Sequence, residues 1–176
     1  IRIDAPVAGD IKIGGGDVYL SSAVTGSVRI DADYVIVAMG SCAENAEAAA
    51  DYLRKTRGIK VGVVQVVWFR PFPGARLAGI LRGRKAVAVL ERTDQPLAGD
   101  LPLMREVRGA LMKALENGRA AGEGRHAPEQ GTGPHAGFPA IRSAAELPFL
   151  TSGCYGLGSR DLKPRQLVGA VENMLE

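Results

Sequence analysis

One stretch of the sequence has the residue types of an anion-binding turn. Gly40 and Ser41 stand between an apolar run that ends at Met39 and an alanine-rich run that begins at Cys42. In folds built on parallel strands, backbone N–H groups at such a strand-to-helix turn often hold phosphate. The dinucleotide-binding glycine fingerprint and the P-loop are both absent. Gly40 and Ser41 are therefore a candidate anion-binding turn, and the alternative is a tight turn in which Ser41 caps the helix.

The cysteines and histidines do not form a recognisable reactive set. Cys42 falls at a predicted helix start, where the helix dipole would favour the thiolate, although a small buried thiol is the commoner state. Cys154 lies far from it in the sequence, and no Cys-x-x-Cys pair occurs. His126 and His135 lie in a Gly/Pro-rich stretch without the short spacing of a metal motif. The sequence therefore nominates no catalytic residue, no cofactor-binding residue and no metal ligand.

A glycine-rich segment at residues 153–161 is the most unusual part of the chain. Its glycines allow the backbone to approach another surface closely, and it carries Tyr155, Arg160 and Asp161. Tyr155 and Arg160 are therefore candidates for contact with a ligand or another subunit. The alternative is that the glycines only turn the chain, and that Arg160 and Asp161 cap the next helix.

Two further groups of candidates follow predicted buried strands. Arg70 and Phe72 come after one strand, and Glu91 and Arg92 come at the end of the next. Ligands and partners bind open α/β sheets at the carboxyl ends of the strands, so these four residues are candidates for an interface or a ligand edge. The alternative is that the charged residues form ion pairs that hold loops within the chain.

Apolar runs alternate with amphipathic runs along most of the sequence. Continuous β-branched runs predict strands buried on both faces of a parallel sheet, and alanine- and leucine-rich runs predict helices. The order predicts an α/β fold with a doubly wound, mostly parallel, Rossmann-like sheet. Strands are predicted at 34–39, 60–68, 85–90 and 149–152, and helices at 42–56, 76–81, 101–117 and 164–175.

The chain divides into an opening segment and one main domain. Residues 1–30 read as a linker from a preceding domain, with a hairpin formed by strands at 18–23 and 27–30. Residues 31–176 form the α/β domain, in which residues 118–148 are predicted to be a long Gly/Pro-rich loop. Because the first residue is Ile1 rather than methionine, we expect a fragment or a processed chain.

Composition and charge exclude several classes of protein. The net charge is +3 and the basic residues are scattered, so nucleic acid is not an expected partner. No apolar run approaches the roughly 20 residues that cross a bilayer, so no membrane partner is expected. The 2 cysteines are too few for a secreted disulfide scaffold. Together these features predict a cytoplasmic location.

Four motifs, in order, resemble those of one family, the 2-oxoacid:ferredoxin oxidoreductases, and pyruvate synthase above all. The resemblance is to the transketolase carboxyl-terminal-like domain of the α chain. It covers residues 30–176, with 118–148 unmatched. Two departures are Glu91, where the family usually has Asp, and Cys154, where it usually has Arg. The motifs are Val35-Ile36-Val37-Ala38-Met39-Gly40-Ser41, Phe69-Arg70-Pro71-Phe72-Pro73, Ala88-Val89-Leu90-Glu91-Arg92-Thr93 and Tyr155-Gly156-Leu157-Gly158-Ser159-Arg160-Asp161.

The resemblance implies an enzyme larger than this chain. The whole enzyme would convert a 2-oxoacid, with pyruvate expected first, CoA and oxidised ferredoxin into an acyl-CoA, CO₂ and reduced ferredoxin. Thiamine diphosphate, Mg²⁺ and [4Fe–4S] clusters would be held by other domains and subunits, and ferredoxin would bind through other subunits. This chain would be a structural and interface domain, inactive alone.

Two alternatives to this interpretation stay open at the level of the sequence. One is the carboxyl-terminal domain of another thiamine-diphosphate enzyme, such as transketolase or a 2-oxoacid dehydrogenase. The other is a free-standing module that binds a nucleotide or CoA at Gly40 and Ser41 or at the loop that begins at Gly153.

Overall fold

The computed structural model describes residues 2–3, 11–13, 18–20, 28–124 and 137–176. Four helices surround a sheet of parallel strands. The strands are β1 (Arg2–Ile3), β2 (Ile11–Ile13), β3 (Val18–Leu20), β4 (Val28–Ile30), β5 (Tyr34–Ala38), β6 (Val61–Val66), β7 (Ala86–Glu91) and β8 (Phe149–Cys154). The helices are α1 (Cys42–Arg57), α2 (Gly74–Leu81), α3 (Pro102–Gly122) and α4 (Pro164–Leu175), with short 3₁₀ turns at Ala144–Glu146 and Leu157–Ser159.

The sheet has the order β1-β3-β6-β5-β7-β8, and every neighbouring pair in it is parallel. β2 and β4 form a separate parallel pair. The predicted α/β, Rossmann-like fold with a mostly parallel sheet is therefore confirmed. None of the helices in the described part of the chain has the length and apolar character needed to cross a membrane.

The central strands are buried because helices cover both faces of the sheet. All six residues of β7 are buried, as are four of the five in β5. One face packs against α2 and α3 through residues such as Val37, Val89 and Leu103. The other packs against α1 and α4 through residues such as Ile36 and Leu53. The continuous β-branched runs in the sequence are explained by this burial on both faces.

The predicted hairpin in the opening segment is wrong. β3 pairs in parallel with β6, and β4 pairs in parallel with β2, so β3 and β4 are not partners. β1 and β3 extend the main sheet beyond β6. The sequence signal failed because two short apolar runs around Thr25 and Gly26 fit a hairpin by composition alone. In the structure, β3 pairs with the free edge of β6 instead.

The second predicted strand is shorter than expected. β6 ends at Val66, and the next two residues, Val67 and Trp68, are 42% and 57% exposed. The apolar character of these two residues continued the strand pattern in the sequence. In the structure they lie beyond the sheet, at its carboxyl edge.

The predicted loop at 118–148 begins too early, since α3 continues to Gly122. Gly118 does not stop the helix. Its missing side chain instead leaves room for a crossing segment that contains Ile141. The backbone N–H of Ile141 donates to the carbonyl oxygen of Ala114 at 2.9 Å, and the Asn117 amide donates to the carbonyl oxygen of Phe138 at 3.1 Å. This segment is therefore fixed to α3 by hydrogen bonds from its own backbone to the backbone of Ala114 and the side chain of Asn117. His126 and His135 lie outside the described residues.

A side chain at position 118 should destabilise the fold. A Cβ atom there would lie 1.7 Å from the carbonyl oxygen of Ile141, so Gly118→Ala should lower the free energy of unfolding by about 1–3 kcal/mol, the usual cost of overpacking. Gly109→Ala is the matched control, because position 109 is exposed on the same helix with nothing within 4 Å. It should raise the free energy of unfolding by about 0.5–1 kcal/mol. Urea titration of both variants checks this, and equal effects would contradict the close approach at Gly118.

Candidate functional site

The strand register brings three loops to one place at the carboxyl edge of the sheet. Ala38 at the end of β5 pairs with Leu90 in β7, and Leu90 pairs with Gly153 in β8. Because the strands are parallel, the residues that follow each of them leave the sheet on the same side. The Gly40 turn, the residues after β7 and the glycine-rich segment after β8 therefore meet there.

A cavity of about 240 Å³ lies between these three loops. Its lining combines Ser41 of the first turn with Arg92, Tyr155 and Arg160 of the other two loops. Four residues that the sequence placed in three separate candidate groups are thus brought together. Cys42, Asn45, Asp161 and Leu162 complete the lining.

The Gly40 turn leads directly from β5 into α1. Gly40 has φ +62°, a left-handed conformation that glycine adopts without strain, and its carbonyl oxygen accepts a hydrogen bond from the N–H of Ala43 at 3.1 Å. Ser41 occupies the N-cap position but makes no side-chain cap hydrogen bond. The tight turn is as the sequence predicted, whereas the expected hydrogen bond from a Ser41 cap is not formed.

Cys42 is buried at the start of α1 and is hydrogen-bonded to Tyr155. Burial raises the pKa of the Cys42 thiol, and the hydrogen bond with Tyr155 opposes that shift without cancelling it. Burial also raises the pKa of Tyr155, and the neighbouring Cys42 adds to the effect. Both groups are therefore protonated near neutral pH, so Cys42 is a packed thiol rather than an activated nucleophile.

Arg92 is held in place by the glycine-rich segment. Its Nε donates to the carbonyl oxygen of Gly156 at 3.3 Å. A Cβ at position 156 would lie 3.1 Å from that same Nε, and Gly156 has φ +65°. Glycine at this position therefore both turns the chain and lets the guanidinium lie close to the backbone. Arg160 follows on the same loop, at the cavity.

Glu91 faces the opposite side of the sheet from the cavity and has an internal role. It is 8% exposed, and its carboxylate accepts hydrogen bonds from the backbone N–H groups of Leu103 at 2.6 Å and Met104 at 3.1 Å. These N–H groups lie in the first turn of α3, where no helical carbonyl is available to them. The negative charge also lies at the positive end of the helix dipole. Glu91 thus fixes the start of α3 to the end of β7.

Arg70 and Phe72 lie apart from the cavity, on the α3 side of the sheet. Arg70 donates to a Glu106 carboxylate oxygen of α3 at 2.8 Å and stacks over the Phe69 ring at 4.3 Å. Phe69 and Phe72 meet edge to face with their ring centres 6.2 Å apart. Arg70 nevertheless keeps a side chain that is 63% exposed, so it remains accessible at the surface.

Several residues of this edge were not singled out in the sequence. Asn45 lines the cavity, yet a helical asparagine has no distinguishing pattern. Val67 and Trp68 were hidden in an apolar run. Leu97 in the loop after β7 is fully exposed and has φ +69°, which is strained for a leucine. Of these residues, only Trp68 carried a signal in the sequence that could have marked it as a candidate, because it is the single tryptophan.

The residues present do not fit the metal groups that the resemblance implies for the whole enzyme. A [4Fe–4S] cluster is held by four cysteine thiolates, and the chain has 2 cysteines, Cys42 buried and Cys154 exposed. In the described ranges, no group of three or more His, Cys, Asp or Glu side chains is placed to hold a metal ion. We therefore assign no metal or cluster ligand in this part of the chain.

Comparison of the chain with known proteins identifies its family. Residues 32–125, more than half of the chain, match the model described as pyruvate:ferredoxin oxidoreductase core domain II. The chain belongs to the 2-oxoacid:ferredoxin oxidoreductase family. The matched stretch contains β5 to α3, and so includes the Gly40 turn, Arg70 and Arg92.

Curated relatives agree with the family model. The chain is 32% identical to pyruvate synthase subunit PorA of Thermotoga maritima over 82% of its own length and 29% of that protein. It is 30% identical to a pyruvate-flavodoxin oxidoreductase of Nostoc sp. over 83% of its length and 11% of that protein. It is 48% identical to ketoisovalerate oxidoreductase subunit VorA of Pyrococcus furiosus over 46% of its length and 20% of that protein. The chain thus spans less than a third of each of these relatives.

Removal of the Glu91 carboxylate should loosen α3. Glu91→Ala leaves the N–H groups of Leu103 and Met104 buried without an acceptor, so the free energy of unfolding should fall by about 2–5 kcal/mol. Glu91→Gln keeps one acceptor oxygen and should cost less. The control is Glu106→Gln on the same helix, which removes only a surface ion pair and should cost less than about 1 kcal/mol. Denaturant titration checks the order, and a Glu91→Ala variant as stable as Glu106→Gln would refute the proposed capping.

Proposed function

We propose that this chain is a non-catalytic domain of a thiamine-diphosphate-dependent enzyme that oxidatively decarboxylates a 2-oxoacid to an acyl-CoA with reduction of ferredoxin. The observation that carries the proposal is the match of residues 32–125 to the core domain II model. Relatives that align over most of the chain are named as a pyruvate synthase subunit and as a pyruvate-flavodoxin oxidoreductase. The match favours this family over transketolase and the 2-oxoacid dehydrogenases, and over a free-standing nucleotide-binding module.

Pyruvate is the substrate that we propose. The relatives named for pyruvate align with 82% and 83% of the chain. Those named for ketoisovalerate are more similar in identity, at 41% to 48%, but over only 46% to 53% of the chain. Similarity that extends over more of the chain supports pyruvate. A branched 2-oxoacid is the second candidate, and the higher local identity favours it.

The chemistry is proposed to occur outside this domain. When bound, thiamine diphosphate would supply the nucleophilic carbon and the electron sink for the decarboxylation. The described residues offer no activated nucleophile for such a step, since Cys42 is buried with a raised pKa. We propose that other domains or subunits hold thiamine diphosphate, Mg²⁺, the [4Fe–4S] clusters, CoA and ferredoxin, in the cytoplasm. This domain then supplies packing surface to them.

The surface that we propose for this packing is the carboxyl edge on the β6 side. Val67 and Trp68 leave the sheet there with large exposed apolar areas, and Arg70 follows them with its guanidinium 63% exposed. Tryptophan and arginine are the residue types most enriched among the energetically important contacts of protein interfaces. Leu97 lies in a different loop, after β7, where it is exposed and has a strained backbone conformation, a feature typical of functional loops.

The reaction is tested on the whole enzyme, purified anaerobically from its host through a tag on this chain. The expected result is a brown complex that contains thiamine diphosphate and reduces ferredoxin in the presence of pyruvate and CoA. A panel of pyruvate, 2-oxoisovalerate and 2-oxoglutarate gives the substrate, with the highest kcat/KM expected for pyruvate. A colourless protein without thiamine and without activity towards any of the three acids would refute the proposed function, and preference for 2-oxoisovalerate would refute only the substrate.

The packing surface is tested separately by substitution of Trp68 in the same enzyme. Because Trp68→Ser removes a large apolar contact from the proposed interface, it should lower the association constant of the complex by at least about tenfold. The yield of intact complex on size exclusion should fall accordingly. Tyr52→Ser is the matched control, since Tyr52 is also about half exposed, on α1. Equal yields from the two variants would show that Trp68 is not part of an interface.

A further inference from the structure

The cavity at the carboxyl edge has an uneven distribution of charge. Arg92 and Arg160 both line it, and within the described residues neither guanidinium forms an ion pair. By comparison, a carboxylate pairs with each of Arg54, Arg57, Arg70, Arg82 and Arg108. The two arginines at the cavity therefore keep donors that the described carboxylates do not occupy.

Arg92 is positioned rather than free to move away. Its Nε donates to the carbonyl oxygen of Gly156, which leaves the two terminal nitrogens of the guanidinium to bind something else. A guanidinium carries five N–H donors and no acceptor, and its planar fork matches the oxygens of phosphate and carboxylate. Because Gly156 allows this close approach, the loop conformation fixes the direction of the positive charge.

The cavity also brings donors from more than one direction. Arg92 comes from the end of β7, Arg160 from the loop after β8, and Ser41 from the turn before α1, where its hydroxyl is not used as a helix cap. A carboxylate presents its oxygens in one plane, whereas a phosphate presents them tetrahedrally. Donors that converge from three chain segments suit the tetrahedral anion better.

Asp161 opposes anion binding, since its carboxylate lines the same cavity. Two guanidinium groups against one carboxylate leave the lining with a positive balance. The negative side chain should reduce the affinity for an anion without reversing the preference for one. Removal of its charge should therefore tighten anion binding, whereas removal of either arginine should weaken it.

We propose that this cavity binds a phosphate group, either as inorganic phosphate or as the phosphoryl end of a larger molecule, between Arg92, Arg160 and Ser41. The two candidate anion-binding segments of the sequence, Gly40-Ser41 and the glycine-rich loop, then belong to a single site. This site does not depend on the reaction proposed above, because it is built from residues of this chain alone.

Titration of inorganic phosphate into the 176-residue chain, followed by calorimetry, tests the proposal. Saturable binding with one site per chain is expected, and Arg92→Ala and Arg160→Ala should each weaken it about tenfold, the usual effect of one lost charge-assisted hydrogen bond. Asp161→Asn should tighten it by about two- to fivefold. Methyl phosphate distinguishes the sources: affinity equal to that of inorganic phosphate means that the site accepts a phosphoryl end, and loss of binding means that it takes the free ion.

Arg165→Ala is the matched control, because Arg165 is an exposed arginine of α4 that does not line the cavity. It should change phosphate affinity less than about twofold, since an exposed charge outside the lining makes no direct contact with the anion and is screened by salt. The melting temperature of each variant, followed by circular dichroism, should match that of the unmodified chain. Absence of saturable binding, equal losses for Arg165→Ala and Arg160→Ala, or tighter binding of acetate than of phosphate would each overturn the proposal.

Discussion

The parallel register of β5, β7 and β8 is the constraint on which the rest of the structure depends. Ala38, Leu90 and Gly153 lie side by side across the sheet, so the segments that follow them start at one level. Helices cover both faces of the central strands β5 and β7, and the loops that line the cavity gather at the ends of the strands. The loops can therefore carry exposed arginines and glycines while the core beneath them stays apolar.

The alternation of side chains along β7 assigns two neighbouring charged residues to different tasks. Val89 packs on the α2 and α3 side, and Leu90 packs on the α1 and α4 side. Successive residues of a strand face opposite sides, so Glu91 lies under the first turn of α3 and Arg92 lies at the cavity beside α1. The end of β7 thus fixes the start of α3 through Glu91 and presents Arg92 at the surface. This explains how adjacent opposite charges avoid neutralising each other.

The sequence was informative where burial alone determines structure. The β-branched runs of β5, β6 and β7 and the amphipathic run of α4 identified those elements, because a buried parallel strand needs apolar residues on both faces. The sequence was uninformative where one residue type is compatible with two different structures. Gly118 fits both a helix stop and a close contact with Ile141, and Trp68 fits both a strand and an exposed edge. The convergence of Ser41, Arg92, Tyr155 and Arg160 depends on register between distant segments, which no local pattern contains.

The carboxyl edge carries features that a domain folding for itself alone would not need. An exposed Trp68 and Leu97 gain nothing by apolar burial, and the left-handed φ of Leu97 adds a backbone cost of about 1–3 kcal/mol. The chain spans 29% or less of the relatives described above. In the function that we propose, other domains or subunits of the enzyme would cover this edge and bury its exposed apolar side chains.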